Sequence, residues 1–405
     1  MSVIMSKCGA WILLGGVSVA AAWGGEPWTL VSVDGARQRM SLDGLSFPGQ
    51  GPVPEGGRPG PMNWSDVDTI ELGASAAETT SQGTWEVRTR GGGVLACEVT
   101  GGGVKSLEIR SFGLGELTIP IGVIAEIRRR GDTSLIEAAD SDEDVVGLVG
   151  GDVLRGAVSQ FSRQSISVFD GDNDRDVSWD SVQRVSLAAT GAKSAGGLRA
   201  LVRLVDGAVF AMREFRVKES RIVFDDAEAR TVDGKGLSVP IERVRCIEVL
   251  GGRRSWLSAL APAKYELIPY MDMRWPYRMD RCVTGGPLGL GGRAYDRGIG
   301  LHSACRIAWK LDGQYERFRG LVGIDDSAGP LADADVRVFV DGRAAAGWEH
   351  IRHAAAPVEV DVSVTGAKEL VIEVGFGAGG DTQDRVNLVN AALIAKPASP
   401  RGEPN

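Results

Sequence analysis

The chain has 405 residues, of which 43% are hydrophobic and 24% charged, and its formal net charge is −8 at pH 7. This length exceeds one compact core and corresponds to roughly two to four domains. The composition excludes a largely disordered chain, and the 56 glycines have no three-residue period, which excludes collagen. The surplus of acidic side chains argues against a nucleic-acid-binding protein, because phosphate contacts require an excess of Lys and Arg. With only three histidines, a metal centre built from several histidines is disfavoured.

The first 25 residues have the layout of a secretory signal peptide. Lys7 provides the positive charge, Ala10–Ala22 the apolar stretch, and the alanines at its end a cleavage site. The pattern predicts a signal peptide over 1–25 and an exported protein, periplasmic or extracellular, with an uncleaved anchor as the alternative. No later segment is long and apolar enough for a membrane span, so none is predicted after signal cleavage.

Residues 28–250 contain four copies of one pattern, spaced about 60 residues apart. Each copy ends in a segment with apolar residues at its first, fourth and seventh positions: Trp64–Ile70, Ile121–Ile127, Trp179–Val185 and Ile241–Ile247. Short alternating runs and Gly-rich turns before these segments indicate strands and hairpins. We predict small SH3-like β-barrel repeats, with repeats 1 and 2 in 26–139 and repeats 3 and 4 in 140–252. The closing segment is a strand in this prediction, and a short helix is the alternative because the spacing also fits one helical turn. The pattern is weakly similar to small β-repeats of exported bacterial proteins.

The Asp-rich stretch 170–176 permits a calcium hypothesis, since alternate carboxylates can converge on one cation. It lacks the glycine and the distal glutamate of an EF-hand loop, so a solvated hairpin turn is the favoured interpretation.

Four cysteines remain after signal removal: Cys97, Cys246, Cys282 and Cys305. An even number in an exported protein permits two disulfides. Their wide spacing is equally compatible with buried free thiols.

The composition changes near Trp256, after which all three histidines and all five tyrosines occur. Strict alternation at 307–311, 336–340, 358–364 and 370–374 predicts strands with polar outer faces. Several such strands in sequence favour an antiparallel β-sandwich.

Ordered motifs cover residues 256–396: WLSAL at 256–260, WPYRMDRCVTGGPLGLGGRAYDRGIGLHS at 275–303, YERFRGLVGIDD at 315–326, VRVFVDG at 336–342, VTGAKELVIEV at 364–374 and DRVNLVNAAL at 384–393. In these motifs the sequence resembles the NPCBM carbohydrate-binding module family. The resemblance implies a galactose-binding-like jelly-roll β-sandwich, assigned here to 253–397, with a flexible tail over 398–405. It also implies a polysaccharide or glycan as partner.

A sugar site requires an aromatic platform and side chains that hydrogen-bond hydroxyl groups. The candidate ligand-binding residues are His302, Asp384, Asn387, Asn390, Trp348 and His350. We expect His302 to follow a turn at 298–301, where it either binds ligand or ties that turn to a neighbouring strand. Trp348, His350 and His353 are expected in a loop that could form a platform.

The resemblance extends to the closing motif, because Asp384, Asn387 and Asn390 match the family's pattern there. Leu388 stands where many members have Trp, which would remove a platform if that position faced ligand. Asp325 and Asp326 follow a predicted buried strand. They are expected to cap a turn or, alternatively, to hold a structural Ca²⁺, and no other cofactor is predicted.

No nucleophile elbow, zinc-protease motif, P-loop or dinucleotide-binding motif is present. The first hypothesis is therefore an exported, non-catalytic carbohydrate-binding protein. The second is an envelope scaffold that binds protein partners through its repeats and whose sandwich is only structural. A glycoside hydrolase, or an accessory protein of one, is the third, because two suitably spaced carboxylates suffice for that chemistry.

Overall fold

The computed structural model describes residues 28–42, 44–55, 61–71, 82–132, 143–188, 197–224, 229–233, 236–268 and 274–397. The predicted signal peptide and the predicted tail lie outside these residues. The described residues form strands and single-turn 3-10 helices, so the all-β prediction is confirmed. The 3-10 helices are Trp64–Asp66, Ile121–Val123, Trp179–Ser181, Ile241–Arg243 and Leu257–Ala259. In this part of the chain we find no helix with the length and hydropathy required to cross a bilayer.

The strands before residue 251 form four successive units. Unit 1 contains β1 (Trp28–Ser32), β2 (Arg37–Met40), β3 (Ser46–Phe47) and β4 (Val67–Glu71). Unit 2 contains β5 (Trp85–Thr89), β6 (Val94–Gly102), β7 (Ser106–Ser111), β8 (Gly115–Pro120) and β9 (Ile124–Arg129). Unit 3 contains β10 (Asp144–Leu148), β11 (Val153–Phe161), β12 (Ser165–Phe169), β13 (Asp174–Ser178) and β14 (Val182–Ser186). Unit 4 contains β15 (Arg199–Leu204), β16 (Val209–Met212), β17 (Phe215–Lys218), β18 (Arg221–Phe224), β19 (Arg230–Thr231), β20 (Ser238–Pro240) and β21 (Val244–Leu250).

All four units use the same strand pairing. The first strand of each unit pairs antiparallel with both the second and the last, as β5 does with β6 and β9 and β10 does with β11 and β14. In units 1 and 4 the corresponding pairs are β1 with β2 and β4, and β15 with β16 and β21. The repeat seen in the sequence is therefore a repeat of strand order. The SH3-like barrel itself stays a prediction.

Each closing segment is a 3-10 turn followed directly by the last strand. In unit 1 the turn starts at Trp64 and the strand at Val67, and the side chain of Asn63 accepts a hydrogen bond from the Ser65 amide. Trp64, Val67 and Ile70 are all at most 3% exposed. The three-residue spacing thus places one apolar residue in the turn and two in the strand, all facing the core. The strand prediction and the short-helix alternative each describe one half of the segment.

The units are joined through their closing strands. β4 pairs with β21 through Ile70 and Ile247, and β9 pairs with β14 through Ile127 and Val185. Unit 1 therefore adjoins unit 4, and unit 2 adjoins unit 3. One continuous hydrophobic core extends from Trp28 to Val249.

The Asp-rich stretch is a hairpin turn between β12 and β13. Oδ1 of Asp170 accepts hydrogen bonds from the amides of Asp172 and Asn173. These bonds lower the pKa of the Asp170 carboxyl. The carboxylate is therefore used as the acceptor that closes the turn.

All four described cysteines are free thiols, so the two-disulfide alternative is not what the structure shows. Burial raises the pKa of the Cys97 and Cys305 thiols to about 12. These thiols belong to the packed interior.

The C-terminal strands form two main sheets and a small hairpin. The first sheet contains β22 (Arg254–Trp256), β24 (Arg278–Met279), β27 (Gly298–His302), β29 (Tyr315–Ile324), β32 (Val358–Ser363) and β34 (Arg385–Ala395). The second contains β23 (Lys264–Leu267), β28 (Cys305–Lys310), β30 (Asp333–Val340), β31 (Arg343–Arg352) and β33 (Glu369–Phe376). β25 (Leu288–Leu290) and β26 (Arg293–Tyr295) pair only with each other. A core that includes Trp309, Phe318 and Leu388 lies between the main sheets, which confirms the β-sandwich.

A basic pair connects the units to the sandwich. The Arg253 guanidinium contacts Asp66 of unit 1 at 2.8 Å, and it also contacts Glu316 and the Ala395 carbonyl of the sandwich. Arg254 contacts Asp68 of unit 1 and packs its guanidinium 3.9 Å from the Trp256 ring. These contacts fix the sandwich against unit 1.

Candidate functional site

A polar cluster lies at the end of the sandwich where β27 ends, β30 begins and β34 begins. We call Ser303, Asp333, His350, Arg352 and Asp384 the end cluster. Oδ2 of Asp384 accepts a hydrogen bond from the Ser303 hydroxyl at 2.8 Å, and its Oδ1 accepts one from the Asp333 amide at 3.0 Å. Asp384 is only 1% exposed. Burial raises its pKa to about 6, and the carboxylates of Asp333 and Asp381 contribute to the rise.

Asp333 occupies the centre of the end cluster. Its carboxylate contacts Nδ1 of His350 at 3.1 Å and Nε of Arg352 at 3.3 Å. Burial acts to raise the Asp333 pKa, but the hydrogen bonds from His350 and Arg352 outweigh it and hold that pKa below its usual range. Asp333 therefore orients two cationic or polar side chains that project further outward.

His302 lies beside the end cluster but is buried, with 3% exposure. Its ring stacks on Trp275 with centroids 4.8 Å apart, and its Nδ1 contacts the Ser303 carbonyl at 2.8 Å. Burial lowers its pKa, which favours the neutral ring. The expected turn at 298–301 is part of strand β27 instead. His302 therefore packs between the end of β27 and Trp275, and its role in ligand binding stays a prediction.

Trp348 and His350 lie in strand β31 rather than in the expected loop, and His353 lies in the turn that follows β31. Trp348 packs against the sandwich core, and His350 adopts a left-handed backbone with φ +56° and directs its ring to Asp333. The two side chains therefore do not form a shared platform. His350 alone joins the end cluster, and its side chain is 51% exposed.

A second polar group surrounds Asn387 beneath the β25–β26 hairpin. The Asn387 side-chain amide donates to Asp325 and, at 2.9 Å, to the Gly289 carbonyl. Asp325 also accepts from the Ser327 amide, and Asp326 accepts from the Gly292 amide. Both carboxylates thus serve as acceptors for turns. No cluster of three His, Cys, Asp or Glu side chains suited to a metal occurs in the described residues, and the predicted cation at Asp325 and Asp326 stays a prediction.

Asn390 and Leu388 occupy different surroundings although both belong to β34. Leu388 is 1% exposed within the sandwich core, so the side chain at this position faces the interior rather than the protein surface. Asn390 is exposed and has a φ of +49°, and its backbone amide donates a hydrogen bond to the Arg297 carbonyl. It faces the junction with unit 1 rather than the end cluster.

Four residues at this end of the sandwich were not predicted from the sequence: Ser303, Asp333, Arg352 and Phe376. Phe376 ends β33, pairs with Ala334 and is 36% exposed, which places it at the same end of the sheet as Asp333. Leu331, 64% exposed, precedes β30 on the same side. The sequence feature that could have indicated Phe376 is the end of the apolar run of β33, where an aromatic residue stands instead of a polar one.

Comparison with known proteins identifies the sandwich. Residues 253–394 match the family model of the NPCBM/NEW2 domain. A "Putative endo-alpha-N-acetylgalactosaminidase" from Renibacterium salmoninarum is 29% identical over 117 residues, which are 29% of this chain and 8% of that protein. The structure of a CBM51 from Clostridium perfringens GH95 in complex with methyl-galactose aligns with 24% identity and a TM-score of 0.32, over 35% of this chain and 99% of that one. The tandem CBM51 modules of a family 98 glycoside hydrolase from Streptococcus pneumoniae align with 15% identity and a TM-score of 0.33, over 62% of this chain and 88% of theirs. The family that the sandwich matches, over residues 253–394, is therefore the NPCBM/NEW2 domain.

Proposed function

We propose that this protein is an exported, non-catalytic glycan-binding protein and that the end cluster, with Phe376, forms its binding site. The observation that carries the proposal is an NPCBM domain that presents an exposed aromatic ring at the same end of the sheet as oriented hydrogen-bonding groups. The signal-peptide pattern over 1–25 supports export.

The chemistry of the exposed groups suits a sugar. A pyranose has C–H groups that pack on an aromatic face and hydroxyl groups that donate and accept hydrogen bonds. Phe376 is 36% exposed, and the side chains of His350 and Arg352 are 51% and 66% exposed. Asp333 holds Nδ1 of His350 and Nε of Arg352, which fixes the orientation of both groups toward a ligand.

The buried carboxyls of the end cluster favour binding over catalysis. Asp333 and Asp384 have pKa values shifted in opposite directions, a pattern also found in acid–base pairs of hydrolases. Yet both Asp384 oxygens accept hydrogen bonds from Ser303 and Asp333, and Asp384 is 1% exposed. A general acid must reach the glycosidic oxygen of its substrate, and Asp384 is covered by protein. The pair therefore supports the fold of the site.

The test is a glycan array probed with the chain from residue 26 onward, followed by titration of the strongest glycan. Phe376→Ala should weaken binding by about tenfold or more, as expected for loss of an aromatic anchor. Phe169→Ala, which removes a ring that is 41% exposed in unit 3, is the matched control and should leave binding unchanged.

The other outcomes are informative. If no glycan binds to the folded chain, the proposal is wrong and the scaffold hypothesis takes its place. If the purified chain releases sugar from array glycans, the non-catalytic assignment is wrong. Equal loss in Phe376→Ala and Phe169→Ala would place binding elsewhere.

A further inference from the structure

An open groove of about 210 Å³ lies between unit 1 and the sandwich, far along β34 from the end cluster. Its polar lining includes Asp68, Arg254, Trp256, Arg319, Glu359 and Asn390. The volume is below the roughly 300–1,000 Å³ of sites for drug-sized ligands. It corresponds to a ligand of about one sugar ring.

Both halves of the protein build this groove. Asp68 belongs to unit 1 and contacts Arg254 of the sandwich. The Arg319 guanidinium lies over the Gly35 turn of unit 1, where a Cβ would come within 2.6 Å of its Nη1. Gly35 also has a φ of +85°, so both the close approach of Arg319 and the backbone conformation favour glycine at this position. Neither half alone would form the groove.

The floor of the groove is apolar, and one polar atom at it lacks a partner. Val33, Ala392 and Ile394 are at most 5% exposed and pack together with Trp256. The indole Nε1 of Trp256 is buried and has no hydrogen-bond partner among the described residues. The indole nitrogen has no exposed surface, so it is the apolar floor that a groove ligand would contact, and the C–H groups of a sugar ring can pack on such a floor.

The charges around the groove select the chemistry of its ligand. Arg254 and Arg319 would repel a cationic ligand, and Asp68 and Glu359 would repel an anionic ligand. A neutral ligand with several hydroxyl groups can donate to the carboxylates and accept from the guanidinium groups. We propose that this groove binds one neutral sugar residue, as a second glycan site that is separate from the end cluster and requires both domains.

The experiment uses the chain from residue 26 onward, labelled with 5-fluorotryptophan, and follows its ¹⁹F spectrum. Trp256→Phe and Trp275→Phe assign one signal to the groove and one to the end of the sandwich. Galactose, N-acetylgalactosamine, N-acetylglucosamine, glucose and mannose are titrated one at a time. At least one of them should shift the Trp256 signal to saturation.

Substitutions then locate the binding. Glu359→Ala should weaken the titration followed at Trp256 by about tenfold, because it removes a groove acceptor. Glu349→Ala is the matched control: the two side chains are 69% and 70% exposed, and each lies near one arginine. Glu349→Ala should leave the titration within about twofold.

The experiment can refute either proposed glycan site without refuting the other. A saturable shift of Trp275 with none of Trp256 overturns the groove site and leaves the proposed function standing. A shift of Trp256 with none of Trp275 supports the groove even if the end cluster binds nothing. A Trp256 titration that Glu359→Ala and Glu349→Ala affect equally also overturns the groove site, and so does the absence of any shift at Trp256.

Discussion

Replacing Asp384 by Asn is expected to make the protein less sensitive to rising pH. The carboxyl is 1% exposed, and burial raises its pKa from 3.8 to about 6. The native state therefore holds this proton more tightly than the unfolded chain does. The stability that protonation provides is complete below about pH 4 and is lost as pH rises through about 6.

The magnitude follows from the size of the shift. A rise of about two pKa units at about 1.36 kcal/mol per unit gives a cost of at most about 3 kcal/mol for the ionised form. About 2 kcal/mol of that cost develops between about pH 4 and pH 8. Asparagine can still accept from the Asp333 amide and can donate to Ser303, so it retains both contacts without the charge.

The assay is urea unfolding followed by tryptophan fluorescence at several pH values. Relative to Asp384→Asn, the parent chain should lose about 2 kcal/mol of unfolding free energy across that pH range. Asp296→Asn, which changes a side chain that is 80% exposed, should follow the parent within about 0.5 kcal/mol. If the unfolding free energy of Asp384→Asn changes with pH as that of the parent chain does, ionisation of Asp384 carries no cost and the account of the end cluster is wrong.

Two further substitutions test the packing around the sites. Arg253→Met leaves the carboxylates of unit 1 and the sandwich without their cation and should cost about 2–3 kcal/mol in urea unfolding, whereas Arg110→Met, at a side chain that is 65% exposed, should cost under about 0.5 kcal/mol. Equal effects would mean that Arg253 does not join the two halves. Leu388→Ala should cost about 2–5 kcal/mol because the side chain is 1% exposed, and Leu331→Ala, at 64% exposure, should cost under about 0.5 kcal/mol. A small effect at Leu388 would place this side chain outside the core.

Local patterns predicted the strands because alternate residues of a strand are buried, and the sequence shows this as alternating apolar and polar residues. The alternation at 336–340 and 370–374 corresponds to β30 and β33, whose inward residues fill the sandwich core. The spacing of three in the closing segments was ambiguous because a 3-10 turn and a strand share each segment. Both halves bury one face, so one apolar pattern serves two conformations.

The strands β27 and β31 were predicted as a turn and a loop, and each difference has a physical cause. The glycines of β27 suggested a turn, but a Cβ on Gly300 would lie 2.4 Å from the Val283 amide nitrogen, so the glycine permits close backbone contact inside a strand. β31 has few alternating apolar residues because most of it is exposed, and His350 interrupts it with a positive φ. Such a strand resembles a loop in sequence.

The residues of the candidate site were only partly predictable because they come from distant segments of the chain. Asp384 and His350 were proposed individually, but Asp333 connects them and stands 51 and 17 residues away in sequence. Asn387 was proposed for ligand and Asp325 for a turn cap or a cation, and the structure joins the two side chains to each other and to the Gly289 carbonyl of the β25–β26 hairpin. Residue type indicated which side chains form polar contacts, and strand order decided which ones meet.

A crystal structure of the chain bound to the strongest glycan from the array tests the central claim most directly. The account predicts a sugar ring against Phe376 with hydroxyl groups on His350 and Arg352, while Asp333 and Asp384 keep the contacts described above. A glycan found only on units 1 to 4, or one that does not touch Phe376, His350 or Arg352, would contradict it.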